Sequence, residues 1–301
     1  MATVTARGRV AEWRRFRPSK ALRYLILSAG AVLFVAPFLY MVSSSFQPLS
    51  EMFSSPPRWI PDNPTLQNYR DFFGSGHSIG RWIINSAFTT VTITVLQLFF
   101  SSLVAYTFAK RTFPGRDFLF FLLLATMMFP AQVIVIPNYI ILKVIPLFGG
   151  NDLAGVGGHG WLDSYWGIIM PHLVSGFGIF LLRQYMKSIP DELLDAARID
   201  GAGHFRIYWK VILPLSRPAL AALAIFTFQF WWAAFFWPLI VVSNPQLYTL
   251  PLGLALFQDQ NRTAWNLITA GSVLASLPLI AVFLLFQRQF VRGISVSGLK
   301  G

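Results

Sequence analysis

The chain has 301 residues, 55% of them hydrophobic and only 12% charged, with a formal net charge of +12 and no cysteine. The charged fraction is about half that of a soluble domain, and the missing cysteine excludes disulfides, a thiol nucleophile and a thiolate metal site. The basic excess comes without the base-stacking or base-reading elements that a nucleic-acid partner requires.

A basic segment with Arg7, Arg9, Arg14, Arg15, Arg17 and Lys20 opens the chain. Six long apolar blocks follow, over residues 22–45, 82–109, 118–146, 165–186, 213–242 and 265–287. A block of about 20 apolar residues crosses a bilayer as a helix. The expected fold is therefore an all-α membrane protein of six transmembrane helices. Its parts are an amino-terminal tail (1–21), a membrane domain (22–288) and a carboxy-terminal tail (289–301). The first block is read as a retained span, because 24–42 is longer than a signal-peptide core of roughly 7–15 residues and no small-x-small cleavage site follows. Pro37, Pro130, Pro137, Pro171, Pro238 and Pro278 fall within blocks and predict kinks.

The connections divide by charge. The amino tail with Arg23 at the start of the first block, 110–117, 183–217 and 288–301 hold 19 of the 24 Lys and Arg residues; Arg58, Arg70, Arg81, Lys143 and Arg262 lie on the other side. The positive-inside rule puts both termini and the 183–217 segment in the cytoplasm of a cell membrane, where the amino-terminal arginines also meet anionic lipid. On the outer side, 46–80 is broken by Pro56-Pro57 and Asn63-Pro64. The Gly-rich stretch with Gly149-Gly150 and Gly155-Val156-Gly157-Gly158-His159-Gly160 is expected to be a flexible loop. No G-x-x-x-x-G-K-[ST] occurs, so the chain holds no ATP through a P-loop.

The blocks contain no Asp or Glu, and Arg183, Arg217 and Lys143 lie near ends where long side chains snorkel. Ion-coupled transporters rely on intramembrane carboxylates, so energy is expected from outside the chain and the solute is expected to be neutral. His172, beside Pro171, is the one candidate proton relay; its bland role is a hydrogen bond to a neighbouring helix. The four histidines are scattered, with no metal site and no catalytic cluster. Asn85, Gln97, Gln132, Asn138, Gln229 and Trp232, with Phe230 and Trp231 beside them, are candidates for a solute path, since amides and ring faces suit sugars. The same residues serve equally to join helices and belt the interface.

The polar segment 190–213 carries the densest signal. Pro190 suits a first helical position, and Asp191, Glu192 and Asp195 complement the helix dipole. Gly201 suits the left-handed stop after Ile199. A second helix is expected with Phe205, Tyr208, Trp209 and Ile212 on one face, and Leu213-Pro214 and Pro218 lead into the fifth span. Alone, this reads equally as an amphipathic unit lying on lipid headgroups.

Asp195-Ala196-Ala197, three residues, Gly201, nine residues, then Val211-Ile212-Leu213-Pro214 resembles the E-A-A…G…I-x-L-P coupling motif of binding-protein-dependent ABC importer permeases, with Asp195 for Glu and Val211 for Ile. Gly176–Pro190 is similar to the approach to that motif in the carbohydrate uptake group, and Tyr248-Thr249-Leu250-Pro251-Leu252-Gly253-Leu254 to an outer loop. Phe290–Gly293 and Gly298–Gly301 are similar to the tail of maltose-type G subunits. Trp232-Ala233-Ala234-Phe235-Phe236-Trp237-Pro238-Leu239 lacks the polar pair of the family's W-N-E/D-F-x-W-P-L.

The resemblance implies a type I ABC importer permease fold for import of a di- or oligosaccharide. It implies as partners a second permease, two copies of an ATPase that binds ATP and Mg, and an extracytoplasmic solute-binding protein, with no cofactor on this chain. Asp195, Ala196, Ala197, Asp200, Gly201, Ala202, Phe205, Leu213 and Pro214 would couple to the ATPase, and Gly298, Leu299, Lys300 and Gly301 would reach its interface. The alternative is a secondary transporter for a small neutral solute.

Overall fold

The computed structural model describes residues 20–258 and 263–297. Its helices in chain order are α1 (Lys20–Ser44), α2 (Leu49–Met52), α3 (Gln67–Gly74), α4 (Ile79–Lys110), α5 (Arg116–Thr126), α6 (Ala131–Lys143), α7 (Tyr165–Ile169), α8 (Gly176–Lys187), α9 (Glu192–Ile199), α10 (His204–Ile207), α11 (Leu213–Leu215), α12 (Arg217–Trp232), α13 (Phe236–Val241), α14 (Leu250–Leu254) and α15 (Trp265–Ser297). Among the described residues there is no strand, only a bridge between Gln258 and Thr263. Among the described residues three helices are long and apolar enough to cross a membrane, and counting each of three bent pairs as one span brings the number up to six.

Three blocks are broken, not continuous. The block read as one span over 118–146 is α5 and α6 set at 99°. Pro130 takes the N-cap position of α6. Proline pushes the residue before it out of the helical region, so here it ends one helix and begins another where only a kink was expected. Pro171 falls near the second break, where Tyr165–His172 and Gly176–Lys187 meet at 40°. The fifth block, read as 213–242, turns by 76° at Ser216, stops at Trp232 and resumes as the short α13. Pro37 and Pro278, by contrast, sit inside α1 and α15.

Three buried groups hold the helices. One joins α4, α8, α9, α10 and α12 through Tyr106, Leu182, Met186, Leu194, Ile207, Tyr208 and Leu223. A second gathers Phe72, Trp82, Trp232, Leu250 and Phe257, and a third gathers Leu142, Leu162, Ile168, Trp237 and Val241. Ser44 is the one buried residue of α1; a helix apolar all round needs apolar surroundings.

Two expectations are corrected here. Residues 149–160 form a closed turn, not an open flexible loop. The Asn151 amide donates to the Lys143 and Ile145 carbonyls (2.7 and 2.9 Å) and its oxygen accepts from the Gly158 N–H (2.8 Å). A Cβ at Gly158 would lie 2.1 Å from the Gly149 carbonyl oxygen, and one at Gly160 2.1 Å from that of Leu142. These glycines let backbone pack on backbone. Arg183, expected to snorkel, is only 5% exposed. Its guanidinium lies 3.7 Å from the Phe120 ring centroid, donates to the Phe108 carbonyl at 3.3 Å and pairs with Asp117 at 3.9 Å. A cation over a ring face with a nearby carboxylate is stable without reaching open water.

Candidate docking site for a partner

The polar segment folds as a helix, a left-handed turn and a second, irregular helix. Asp191 takes the N-cap position of α9, so Pro190 stands just outside the helix and not at its first position. The Asp191 carboxylate caps nothing; it pairs with Lys110 Nζ at 2.7 Å, and that ammonium also donates to the Ile189 carbonyl at 2.5 Å. The end of α4 is thereby tied to the start of α9. Within α9, Arg198 Nη1 and Asp195 Oδ1 meet at 2.7 Å, an exposed pair worth little by itself.

The turn after α9 has the hydrogen bonds of a Schellman motif. The Ala202 N–H donates to the Ala197 carbonyl and the Gly201 N–H to the Arg198 carbonyl, both at 2.9 Å. Gly201 has φ +77, and a Cβ there would meet nothing within 4 Å. The glycine is required by its backbone conformation, and the space around it is open.

The second helix does not present the single apolar face that a 3.6-residue period predicts. Tyr208–Ile212 is a π-turn, and widening the turn shifts the register. Ile207, Tyr208 and Ile212 are buried. Tyr208 OH is 2.8 Å from Ser102 Oγ on α4, and its ring stands 5.5 Å from that of Tyr106. Phe205 and Trp209, expected beside them, are 66% and 52% exposed. Their rings stack on each other at 6.3 Å with 17° between planes. Ile199 is 87% exposed on the preceding helix. Ala196 is open and Ala197 half-buried against the core. The segment thus has a well-anchored inner side and an apolar, exposed outer side, the kind of surface that meets another protein or the membrane.

The solute-path candidates do not converge. Asn85 is saturated: its amide donates to the carbonyls of Gln246 and Tyr248, both at 2.9 Å, and its oxygen accepts from Tyr165 OH at 2.6 Å. Trp232 Nε1 donates to the Ala275 carbonyl at 2.7 Å, joining α12 to α15. Both residues act as helix glue. Gln132 and Gln229 are exposed and Asn138 half-buried. Only Gln97 lines a cleft, of about 370 Å³, together with His172, Ser175, Thr227, Phe230 and Trp231. His172 lies tilted against Trp231, at 3.9 Å with 38° between planes, and meets Trp237 edge-on at 5.3 Å. No ionisable side chain other than His172 lines the cleft, so a proton relay has no second station there. The convergence of His172, Thr227 and Trp231 was not visible in the sequence, because no periodicity relates the break after α7 to α12. Gly298, Leu299, Lys300 and Gly301 lie outside the described residues. Among the described residues no group of His, Asp and Glu could hold a metal ion.

The chain matches the family model of the binding-protein-dependent transport system inner membrane component over residues 97–296. It is 34% identical over 273 residues to the arabinooligosaccharides transport system permease protein AraQ of Halalkalibacterium halodurans, covering 90% of this chain and 93% of that one. It is likewise 34% identical over 284 residues to the sn-glycerol-3-phosphate transport system permease protein UgpE of Brucella abortus, covering 92% and 96%. Among solved structures it is similar to a chain of a bacterial ABC transporter involved in the import of the acidic polysaccharide alginate. There the TM-score is 0.75 at 23% identity, over 90% of this chain and 95% of that one.

Proposed function

The chain belongs to the family of inner membrane components of binding-protein-dependent transport systems, and from that premise we propose that it forms one half of the path through which an ABC importer moves an oligosaccharide. It is a permease and not an enzyme. Membership of an ABC family sets aside the ion-driven secondary transporter.

The observation that carries this reading is the docking unit: a Schellman turn at Gly201 with its inner side fixed to α4 and its apolar outer side uncovered. A partner ATPase, binding ATP and Mg, would seat Asp195, Ala196, Asp200, Gly201 and Phe205 in a surface cleft. Its closure would displace the unit. Ala197, Ala202, Tyr208 and Leu213 pack into the same buried group as α4, α8 and α12. These helices would therefore move as a body, because a packed core transmits strain instead of absorbing it. Leu213-Pro214 lies at the 76° corner into α12 and would turn displacement at the docking end into tilt of that span.

A second homologous permease, two ATPase copies and an extracytoplasmic solute-binding protein complete the proposed complex in a bacterial or archaeal cell membrane. Both termini and the docking unit lie in the cytoplasm, with Gly298–Gly301 against the ATPase. The 34% identity is shared by the arabinooligosaccharide and the sn-glycerol-3-phosphate permeases; what supports the oligosaccharide over the phosphate is a cleft without charged lining.

The test is co-expression with the candidate ATPase and second permease, followed by pull-down of wild type and Gly201→Asp. Retention of the ATPase by wild type but not by an inserted Gly201→Asp supports the coupling role. Failure of the wild type to retain any ATPase, across nucleotide states and with the subunits encoded beside it, overturns the importer reading.

A further inference from the structure

We propose that the cleft at the break in the fourth span holds one neutral sugar unit of the passing oligosaccharide, so that this subunit contacts solute itself. This rests on the importer reading above and names a solute site within it. The volume, about 370 Å³, lies in the range of roughly 300–1,000 Å³ typical of small-molecule sites.

Three polar groups from three separate elements meet there without hydrogen-bond partners among the described residues. His172 Nε2, at the break after α7, is buried with no hydrogen-bond partner. Neither the Gln97 amide on α4 nor the Thr227 hydroxyl on α12, both on buried residues, is engaged by any hydrogen bond among the described residues. Buried polar groups are nearly always satisfied, so leaving His172 Nε2 unpaired disfavours the empty state, and the Gln97 and Thr227 groups stand free beside it.

The way they are held argues for a ligand and not for a packing accident. The imidazole is fixed by rings: Trp231 covers one side and Trp237 meets it edge-on. Trp237 is itself pinned by its Nε1 donating to the Gly167 carbonyl at 3.1 Å. His172 is therefore oriented without spending a ring nitrogen on its own helix. Phe177 and Phe230 offer exposed rings at the mouth. A neutral imidazole, an amide and a hydroxyl each match a sugar hydroxyl as donor or acceptor, and ring faces match its C–H surface. No Asp, Glu, Lys or Arg lines the cleft, which disfavours a charged solute. A lipid acyl chain would leave all three polar groups unpaired.

The chain contains no cysteine, so Phe230→Cys places a single thiol at the mouth, and its alkylation can be read as a mass shift of this subunit. The assembled importer in lipid nanodiscs is treated with a maleimide in the presence of arabinotriose, xylotriose or maltotriose, and uptake of the same sugars is measured in proteoliposomes. The transported sugar is expected to slow alkylation about tenfold when it stands about ten times above its Kd. Adding Gln97→Leu and Thr227→Val, which remove hydrogen bonds at nearly constant volume, should weaken that protection about tenfold or more.

Import of a sugar that leaves alkylation unslowed overturns the proposal while the importer reading stands. So does protection that survives Gln97→Leu with Thr227→Val, or equal protection by an acyl-chain detergent. A wild-type complex that imports none of the sugars, together with a Phe230→Cys thiol that none of them protects, overturns both readings.

Discussion

A Cβ at Gly201 would meet nothing within 4 Å, whereas one at Gly158 or Gly160 would lie 2.1 Å from a backbone oxygen of its own chain. Both regions use glycine at positive φ, +77 at Gly201 and +58 at Gly160, and both stand out in the sequence as polar punctuation between apolar blocks. They differ in where the remaining space goes. The 149–160 turn closes on itself through Asn151 and Asp152, whose Oδ1 accepts from Ala154 and Val156 N–H groups at 2.8 and 2.9 Å. The turn at Gly201 satisfies its own carbonyls and then leaves its surroundings free. A glycine that is crowded belongs to the fold; a glycine with open space beside it leaves room for another molecule.

The sharpest way to break this contrast is Gly160→Ala. The methyl group would collide with the Leu142 and Lys143 carbonyls, at 2.1 and 2.6 Å, and neither belongs to a movable side chain. The expected loss is more than ~3 kcal/mol, seen as a large fall in the thermal midpoint of the detergent-solubilised protein. An unchanged midpoint would mean that the turn is as loose as its composition suggests.

Gly201→Ala should do less. The left-handed conformation costs an alanine about 1–2 kcal/mol, and nothing is struck. The expected midpoint shift is correspondingly small, while retention of the ATPase falls if the partner approaches the backbone at this point. A midpoint loss as large as that of Gly160→Ala would place Gly201 with the crowded glycines and remove the contrast.

How much of this was legible in the sequence follows the same division. The six apolar blocks, the stop after Ile199 and the left-handed Gly201 were readable, because length, hydropathy and a C-terminal glycine are local signals. The corner at Pro130 was marked by its proline, but whether a proline kinks or breaks a helix depends on what stabilises each half, and that is tertiary. The split of Phe205 and Trp209 from Tyr208 and Ile212 was hidden for a geometric reason: the pattern was read at 3.6 residues per turn, and the π-turn over Tyr208–Ile212 has a wider one. Asn85 and Arg183 looked functional or peripheral by residue type alone. Their partners lie far away in sequence: Gln246 and Tyr248 for Asn85, and Phe108 and Phe120 for Arg183. The cleft around His172 joins α4, the break between α7 and α8, the start of α8, and α12, and such long-range meetings leave no trace in spacing.

The smallest expected effect on stability, and the most telling for docking, comes from Phe205→Ser with Trp209→Ser. If these rings belonged to the apolar face with Tyr208 and Ile212, truncating each would cost about 3–5 kcal/mol. Exposed as they are, at 66% and 52%, each change should stay within about 0.5 kcal/mol. The thermal midpoint should hardly move while pull-down of the ATPase weakens. The paired Tyr208→Phe control separates the two sides of the helix, because it removes the hydrogen bond to Ser102 at 2.8 Å and touches nothing on the outer face. It should lower stability by about 1 kcal/mol and leave the ATPase bound. If the serine pair instead destabilises the protein by several kcal/mol, the rings pack within the subunit in the membrane-embedded state. The docking surface then shrinks to Ile199, Ala196 and the Gly201 turn. The two sides of one short helix thus give opposite signatures, one in stability and one in assembly, and only an anchored inner side makes the outer one a surface that can transmit force.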